Sequence, residues 1–197
     1  MEPITFFLDT VTKLADRLIN MEKNKRQDKQ VLFNEIAKPL YEELEPVARH
    51  YIEFFQKARK EIDNRESLAN IMSRLKEQRD ETTISRIKVQ ETAGQIETYV
   101  NDQDFKNFAE AIRIFFYGPQ DIFKQKRESA SNSLAALRQM KKLQTEKPRS
   151  WRDGLIGYLD KTILDLEEAW KSVVKYYEVL KLHSISHPRL VNKRKVE

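Results

Sequence analysis

Two of the three histidines in this sequence, His183 and His187, stand four residues apart. On one helix their rings would share a face, a spacing that can serve zinc, but zinc needs a third and usually a fourth ligand. The adjacent residues Ser184 and Ser186 supply no carboxylate, and Pro188 predicts that the helix ends before His187. We therefore interpret the stretch as a helix C-terminus, where a cationic side chain favours the helix dipole. We expect no metal site and no cofactor.

Other catalytic patterns are missing from the sequence. The residue three positions before each histidine is Val47, Leu180 or Ser184, so the Glu-x-x-His pairs of di-metal bundles are absent. The chain has no cysteine, which excludes thiol catalysis and cysteine zinc sites. It has neither a glycine-rich phosphate loop nor a nucleophile elbow. These features predict a protein that is not an enzyme and has no small-molecule substrate.

Positive charge is concentrated in the last part of the sequence. Residues 118–197 carry 17 basic and 10 acidic side chains, whereas each of the ranges 1–63 and 64–117 has a net charge of −1. A basic stripe followed by a basic tail is the pattern expected for phosphate contacts, although a solvated surface explains it equally. An anionic membrane surface or an acidic protein are further alternatives. The candidate anion or nucleic-acid contacts are Lys124, Arg127, Arg138, Lys141, Lys142, Arg149, Arg152, Arg189, Lys193, Arg194 and Lys195.

A second candidate surface lies on the first predicted helix. Its apolar residues recur at alternating steps of three and four, which places them on one face. This face either packs inside the protein or pairs with a helix of another copy or partner, and a membrane interface is a further alternative. The residues of this candidate partner-helix face are Ile4, Phe7, Val11, Leu14 and Leu18.

The composition favours long helices. Only 4 of 197 residues are glycine, whereas 40% are hydrophobic and 34% charged. Tight turns between strands need residues that accept positive φ, so few glycines indicate few connections. No apolar run approaches the ~18 residues of a membrane-spanning helix. We expect a soluble, cytoplasmic, all-α protein.

Apolar spacing predicts which faces of these helices are buried. One predicted stripe is Val47, Tyr51, Phe54, Ala58 and Ile62; another is Phe105, Phe108, Ala109, Ile112, Phe115 and Phe116; a third is Leu159, Ile163, Leu166, Trp170, Val173, Tyr177 and Leu180. Pro39 is expected to kink or end a helix, and Pro46 to lie in a first helical turn. Around Arg79 and Arg86 polar residues interrupt the pattern, so a helix either breaks there or leaves the bundle.

Together these patterns predict an elongated antiparallel bundle of five or six long helices with coiled-coil-like packing. We expect residues 1–183 to form a single helical-bundle domain and residues 184–197 a basic C-terminal tail. The favoured function is a non-enzymatic interaction or scaffold protein that acts through protein–protein contacts, by self-association or as a subunit of a larger assembly. The alternative is a nucleic-acid-binding protein that uses the basic stripe and tail.

Overall fold

The computed structural model of the chain describes residues 13–14, 16–20, 28–117, 138–143, 145 and 151–185, with side chains except at positions 78, 79, 81–86, 117 and 185. All regular structure in these ranges is helical, which confirms the all-α prediction. Short helical pieces lie at 13–14, 16–20 and 138–143. The remaining elements are α1 (Lys29–Leu32), a π-helical turn (Phe33–Ala37), α2 (Lys38–Asp63), α3 (Leu68–Tyr99), α4 (Gln103–Tyr117) and α5 (Trp151–Ile185).

The chain remains helical from α1 through the π-helical turn into α2. The backbone N–H of Lys38 donates to the carbonyl of Phe33, five residues earlier, which is the bond of a π-turn. Pro39 follows directly; its ring crowds the carbonyl four residues earlier and it has no N–H to donate. The wider turn accommodates both effects, so the helix does not end at Pro39. Pro46 lies inside α2 rather than in a first turn, contrary to the prediction.

The C-terminus of α2 is closed by a Schellman motif. The amide of Glu66 donates to the carbonyl of Glu61 at 3.0 Å, and the amide of Arg65 donates to the carbonyl of Ile62 at 3.1 Å. Arg65 occupies the left-handed position with φ 61°, a place where glycine is usual. This tight turn directs α3 away from α2 and leaves a cleft beside the connection.

Helix α5 packs antiparallel to α2. Near the C-terminus of α2, Arg59 Nε donates to Asp160 Oδ1 at 3.0 Å. Towards its N-terminus, the ring of Tyr41 stacks on that of Tyr177 with centroids 3.9 Å apart. Residue numbers therefore rise along α2 while those of its partners on α5 rise in the opposite direction.

Helix α4 also packs antiparallel to α5. The rings of Phe108 and Tyr177 lie 6.3 Å apart, and those of Phe115 and Trp170 lie 5.5 Å apart. All six apolar residues predicted for one face of α4 are buried, which confirms that stripe. On α5 the heptad residues Leu159, Leu166, Val173 and Leu180 are buried, with Tyr177 beside them, whereas Ile163 and Trp170 are partly exposed.

The buried face of α2 differs from the predicted one. Tyr51, Ala58 and Ile62 are buried as expected, but Phe55 is the fully buried phenylalanine, with 0% exposure, and Phe54 is partly exposed. The core stripe thus follows steps of four, three and four from Tyr51. Phe54 is left on the adjacent face, which borders the cleft.

Helix α3 is continuous from Leu68 to Tyr99, so the chain does not break around Arg79 and Arg86. Among its described side chains, the buried ones include Ile71 and Leu75 near the start and Val89, Thr92, Ala93 and Ile96 towards the finish. Near its finish α3 is joined to α4 by the half-buried ion pair of Glu97 and Arg113. None of the helices in the described ranges is long and apolar enough to cross a membrane.

Candidate functional site

A cleft lies between the second half of α2 and the first turns of α3, beside the Schellman turn. Its cavity volume is about 200 Å³. On α2, residues 50, 54, 57 and 61 follow steps of four, three and four, so they form one stripe of the helix surface. The cleft is lined by His50, Glu53, Phe54, Lys57, Ala58, Glu61, Ile71 and Arg74.

The floor of the cleft is apolar. Ala58 and Ile71 are buried, and Phe54 covers one side while keeping part of its ring exposed. Phe54 takes this position because Phe55 fills the core between α2 and its neighbours. The floor is therefore continuous with the hydrophobic core, and the exposed part of the Phe54 ring is the apolar surface there that solvent or another molecule can reach.

An ion pair closes the end of the cleft nearest the turn. The guanidinium of Arg74 contacts the carboxylate of Glu61, which is buried at 8% exposure, and also lies 3.3 Å from Glu66 Oε2. Partial burial by itself lowers the pKa of Arg74, but the hydrogen bonds and charges of the two carboxylates outweigh it, so the pKa lies above its ordinary value. Arg74, Glu61 and Glu66 are thus paired with one another within the chain.

The other three charged or titratable groups of the cleft have no such partners. Within the part of the chain that the structure describes, His50, Glu53 and Lys57 form no hydrogen bond and no ion pair. Glu53 and Lys57 have the order and spacing at which a helical ion pair is favoured. Other pairs at this spacing do close, as Lys161 Nζ and Asp165 Oδ2 do at 2.8 Å. The cleft thus presents an acid and a base, one helical turn apart, above an apolar floor.

His183 lies at the opposite end of the helices from the cleft. His183 Nδ1 is 2.8 Å from Oδ2 of Asp104, which is in the first turn of α4. Lys29 Nζ lies 2.5 Å from Asp102 Oδ2 and 3.9 Å from Asp104 Oδ2. These contacts fasten the start of α1 and the end of α5 to the start of α4.

Of the two histidines His183 and His187, the structure describes only His183. His187 lies outside the described residues, so the spacing of His183 and His187 is not tested. Among the residues that the structure does describe, no group of three histidine, aspartate or glutamate side chains could hold a metal ion.

Asp102 has a second role at this junction. Its Oδ1 accepts a hydrogen bond of 3.0 Å from the amide of Asp104, which caps the N-terminus of α4. Partial burial by itself raises the pKa of Asp102, but the bond and charge of Lys29, with the amides of Asp104 and Phe105, lower it below the ordinary value. The pKa of Lys29 is raised, chiefly by its hydrogen bond to Asp102.

The structure describes four of the predicted anion contacts. Arg138, Lys141 and Lys142 are exposed on the helical piece 138–143. Arg152 is half-buried instead: its guanidinium lies 4.7 Å from the ring centroid of Trp151, and Nη1 donates to the carbonyl of Ile62 at 3.1 Å. The others lie outside the described residues: Lys124, Arg127, Arg149, Arg189, Lys193, Arg194 and Lys195.

The predicted partner-helix face is described at two positions. Leu14 and Leu18 are each 1% exposed, so both are buried within the single chain. Ile4, Phe7 and Val11 lie outside the described residues. This placement favours packing of Leu14 and Leu18 inside the protein, and the pairing of the whole face stays a prediction.

The cleft was not predicted from the sequence. In the sequence, Glu53 and Lys57 have the spacing of an ordinary ion pair on a helix surface, and His50 is far from the other two histidines. The available signal was the adjacent pair of Phe54 and Phe55, because neighbouring residues of a helix point in directions about 100° apart and one of the two rings can then lie beside the core. Comparisons with protein-family models, curated proteins and solved structures find no match.

Proposed function

We propose that this chain works by binding another protein, as a non-enzymatic interaction or scaffold protein that self-associates or forms a subunit of a larger assembly. The observation that carries this proposal is the cleft between α2 and α3. It combines an apolar floor, formed by Phe54, Ala58 and Ile71, with two charged side chains, Glu53 and Lys57, that form no ion pair within the described residues. Buried apolar anchors surrounded by polar groups are the usual anatomy of protein–protein contacts.

The size of the cleft favours a protein partner over a small ligand. Pockets for small molecules commonly enclose roughly 300–1,000 Å³, whereas this cavity encloses about 200 Å³. That volume suits one large side chain. The buried carboxylate in the cleft, Glu61, already forms an ion pair with Arg74.

The long helices of this fold suit a scaffold protein. We extend the proposal to an elongated antiparallel bundle with coiled-coil-like packing. It is supported by the antiparallel contacts of α5 with α2 and α4 and by the buried heptad positions of α5.

Size-exclusion chromatography with light scattering, followed by affinity capture under native conditions, tests the proposed function. We expect a defined oligomer or a partner captured in fixed stoichiometry. A monomer at all concentrations that captures no partner in fixed stoichiometry would contradict the proposal.

A second candidate function is nucleic-acid binding, which is favoured by the exposure of Arg138, Lys141 and Lys142 on one short helical piece. Electrostatic binding to phosphates is strongest at low salt. A mobility-shift assay on generic DNA and RNA at about 50 mM salt, repeated at higher salt, tests it. Binding that weakens steeply with salt supports this function, and the absence of binding at low salt excludes it.

A further inference from the structure

We propose that the cleft between α2 and α3 receives one large apolar side chain from an amphipathic helix of a partner protein. On that helix, a basic residue faces Glu53 and an acidic residue faces Lys57. This inference rests on the proposed function and specifies the chemistry of the partner. The observation behind this inference is that Glu53 and Lys57, beside the apolar floor, do not form an ion pair with each other.

The charges specify the flanking residues of the partner. Glu53 and Lys57 are both exposed and lie four residues apart, which corresponds to about 6 Å along the helix axis. A second helix laid along α2 presents side chains at the same repeat. Within the described residues, Glu53 and Lys57 do not bond to each other or to a third group, so a partner would not have to break an existing pair. Opposite charges on the partner therefore fix its position and direction.

The cavity specifies the anchor. About 200 Å³ accommodates one leucine, methionine or phenylalanine side chain, and the walls at Phe54, Ala58 and Ile71 are apolar. At the end near the turn, Arg74 is already bound by Glu61 and Glu66, so it needs no acidic residue from the partner. At the other end, His50 is exposed and can donate to or accept from the partner's backbone or side chains.

The test is a selection from a helix-forming peptide library displayed on phage, with the full chain immobilised as bait. Three baits are compared: the wild type, the charge-exchanged variant Glu53→Lys/Lys57→Glu, and the control variant Lys161→Asp/Asp165→Lys. The control exchanges an exposed pair of the same spacing on α5. All substituted side chains are exposed, and circular dichroism with thermal unfolding verifies that each bait is folded.

We expect the wild type and the control to enrich the same peptides, in which an apolar residue is flanked by a basic and an acidic residue one helical turn apart. The charge-exchanged bait should enrich peptides with those two charges exchanged. Measured by fluorescence polarisation, a wild-type-selected peptide should bind the charge-exchanged variant about tenfold more weakly. The peptide with exchanged charges should recover that loss.

Two results would overturn the inference: no enrichment above a surface without bait, or enriched peptides that bind all three baits equally. Neither result depends on the outcome for the proposed function. If the chain forms a defined oligomer or captures a partner and the charge exchange leaves that association unchanged, the proposed function stands and the assignment of the cleft is wrong.

Discussion

Arg152 Nη1 on α5 lies 3.1 Å from the carbonyl oxygen of Ile62 at the end of α2, 90 residues earlier in the chain. The same oxygen accepts the amide of Arg65 in the Schellman turn. A long-range side chain thus completes the bonding of a helix terminus whose last carbonyls have no partners inside the helix. This contact connects the start of α5 to the turn that shapes the cleft.

Replacing Arg152 should therefore destabilise the fold. We expect Arg152→Ala to lower the free energy of unfolding by about 1–2 kcal/mol, because it removes a charge-assisted hydrogen bond and the stacking on Trp151. The free energy is measured by urea unfolding followed by circular dichroism. Arg49→Ala is the control, since Arg49 is exposed and its ion pair among the described residues is with Glu45 on its own helix. It should cost about 0–0.5 kcal/mol. Equal losses in the two variants would show that the Ile62 contact contributes nothing.

The junction of Asp102 and Lys29 predicts a dependence of stability on pH. The pKa of Asp102 lies below its ordinary value of 3.8, so the folded state binds a proton at this carboxyl less readily than the unfolded state does. The stabilisation is therefore complete above that ordinary value and is lost as the pH falls through the lowered pKa. Acid should weaken the attachment of α1 to α4.

The variant Asp102→Asn separates the charge of Asp102 from its capping role, because asparagine also caps helices. At pH 7 it should lower the free energy of unfolding by about 0.5–1 kcal/mol, a range reduced because Lys29 is substantially exposed. Its difference from the wild type should shrink as the pH is lowered to about 3 in urea titrations. Asp165→Asn, in an exposed helical pair, is the control and should differ from the wild type by only about 0–0.5 kcal/mol at pH 7. A constant difference between Asp102→Asn and the wild type would refute the linkage.

The ion pair at the end of the cleft predicts that substitutions of Glu61 and Arg74 have non-additive effects on stability. Arg74→Met leaves the carboxylate of Glu61 buried beside apolar groups, and we expect it to lower the free energy of unfolding by about 2 kcal/mol. The double variant Glu61→Gln/Arg74→Met removes the buried charge as well and should recover part of that loss. Urea unfolding of the wild type, both single variants and the double variant forms the cycle. Strictly additive losses would mean that Glu61 and Arg74 do not interact.

Parts of this fold could be read from local spacing alone. The buried face of α4 was predictable because six apolar residues define a single stripe between a capping aspartate and a glycine–proline stop. The contact of His183 with Asp104 was not, because the two residues are 79 positions apart and only the packing of α4 against α5 joins them. The cleft depends on the direction that the Schellman turn gives to α3, and Arg65 at its left-handed position gives no glycine signal for that turn.

The prediction that Phe54 belongs to the buried face of α2 was wrong, because the sequence allows two apolar stripes that differ by one residue. Tyr51 is followed by Phe54 in one stripe and by Phe55 in the other, and both continue through Ala58 and Ile62. Packing against neighbouring helices decides the choice: Phe55 lies on the side of α2 that Tyr51 also faces, and the ring of Tyr51 meets that of Phe115 on α4 with centroids 6.2 Å apart. Sequence periodicity has no access to that contact.

Truncation of the two neighbouring phenylalanines tests this register directly. We expect Phe55→Ala to lower the free energy of unfolding by about 3–5 kcal/mol, because a fully buried ring leaves a cavity in the core. Phe54→Ala should cost only about 1 kcal/mol, since part of its ring is already in contact with solvent. Each variant serves as the control for the other, because they make the same chemical change one residue apart. Urea unfolding gives both values. Similar losses, or a larger loss for Phe54→Ala, would mean that Phe54 is the core residue, and the apolar floor of the cleft would then not exist as described.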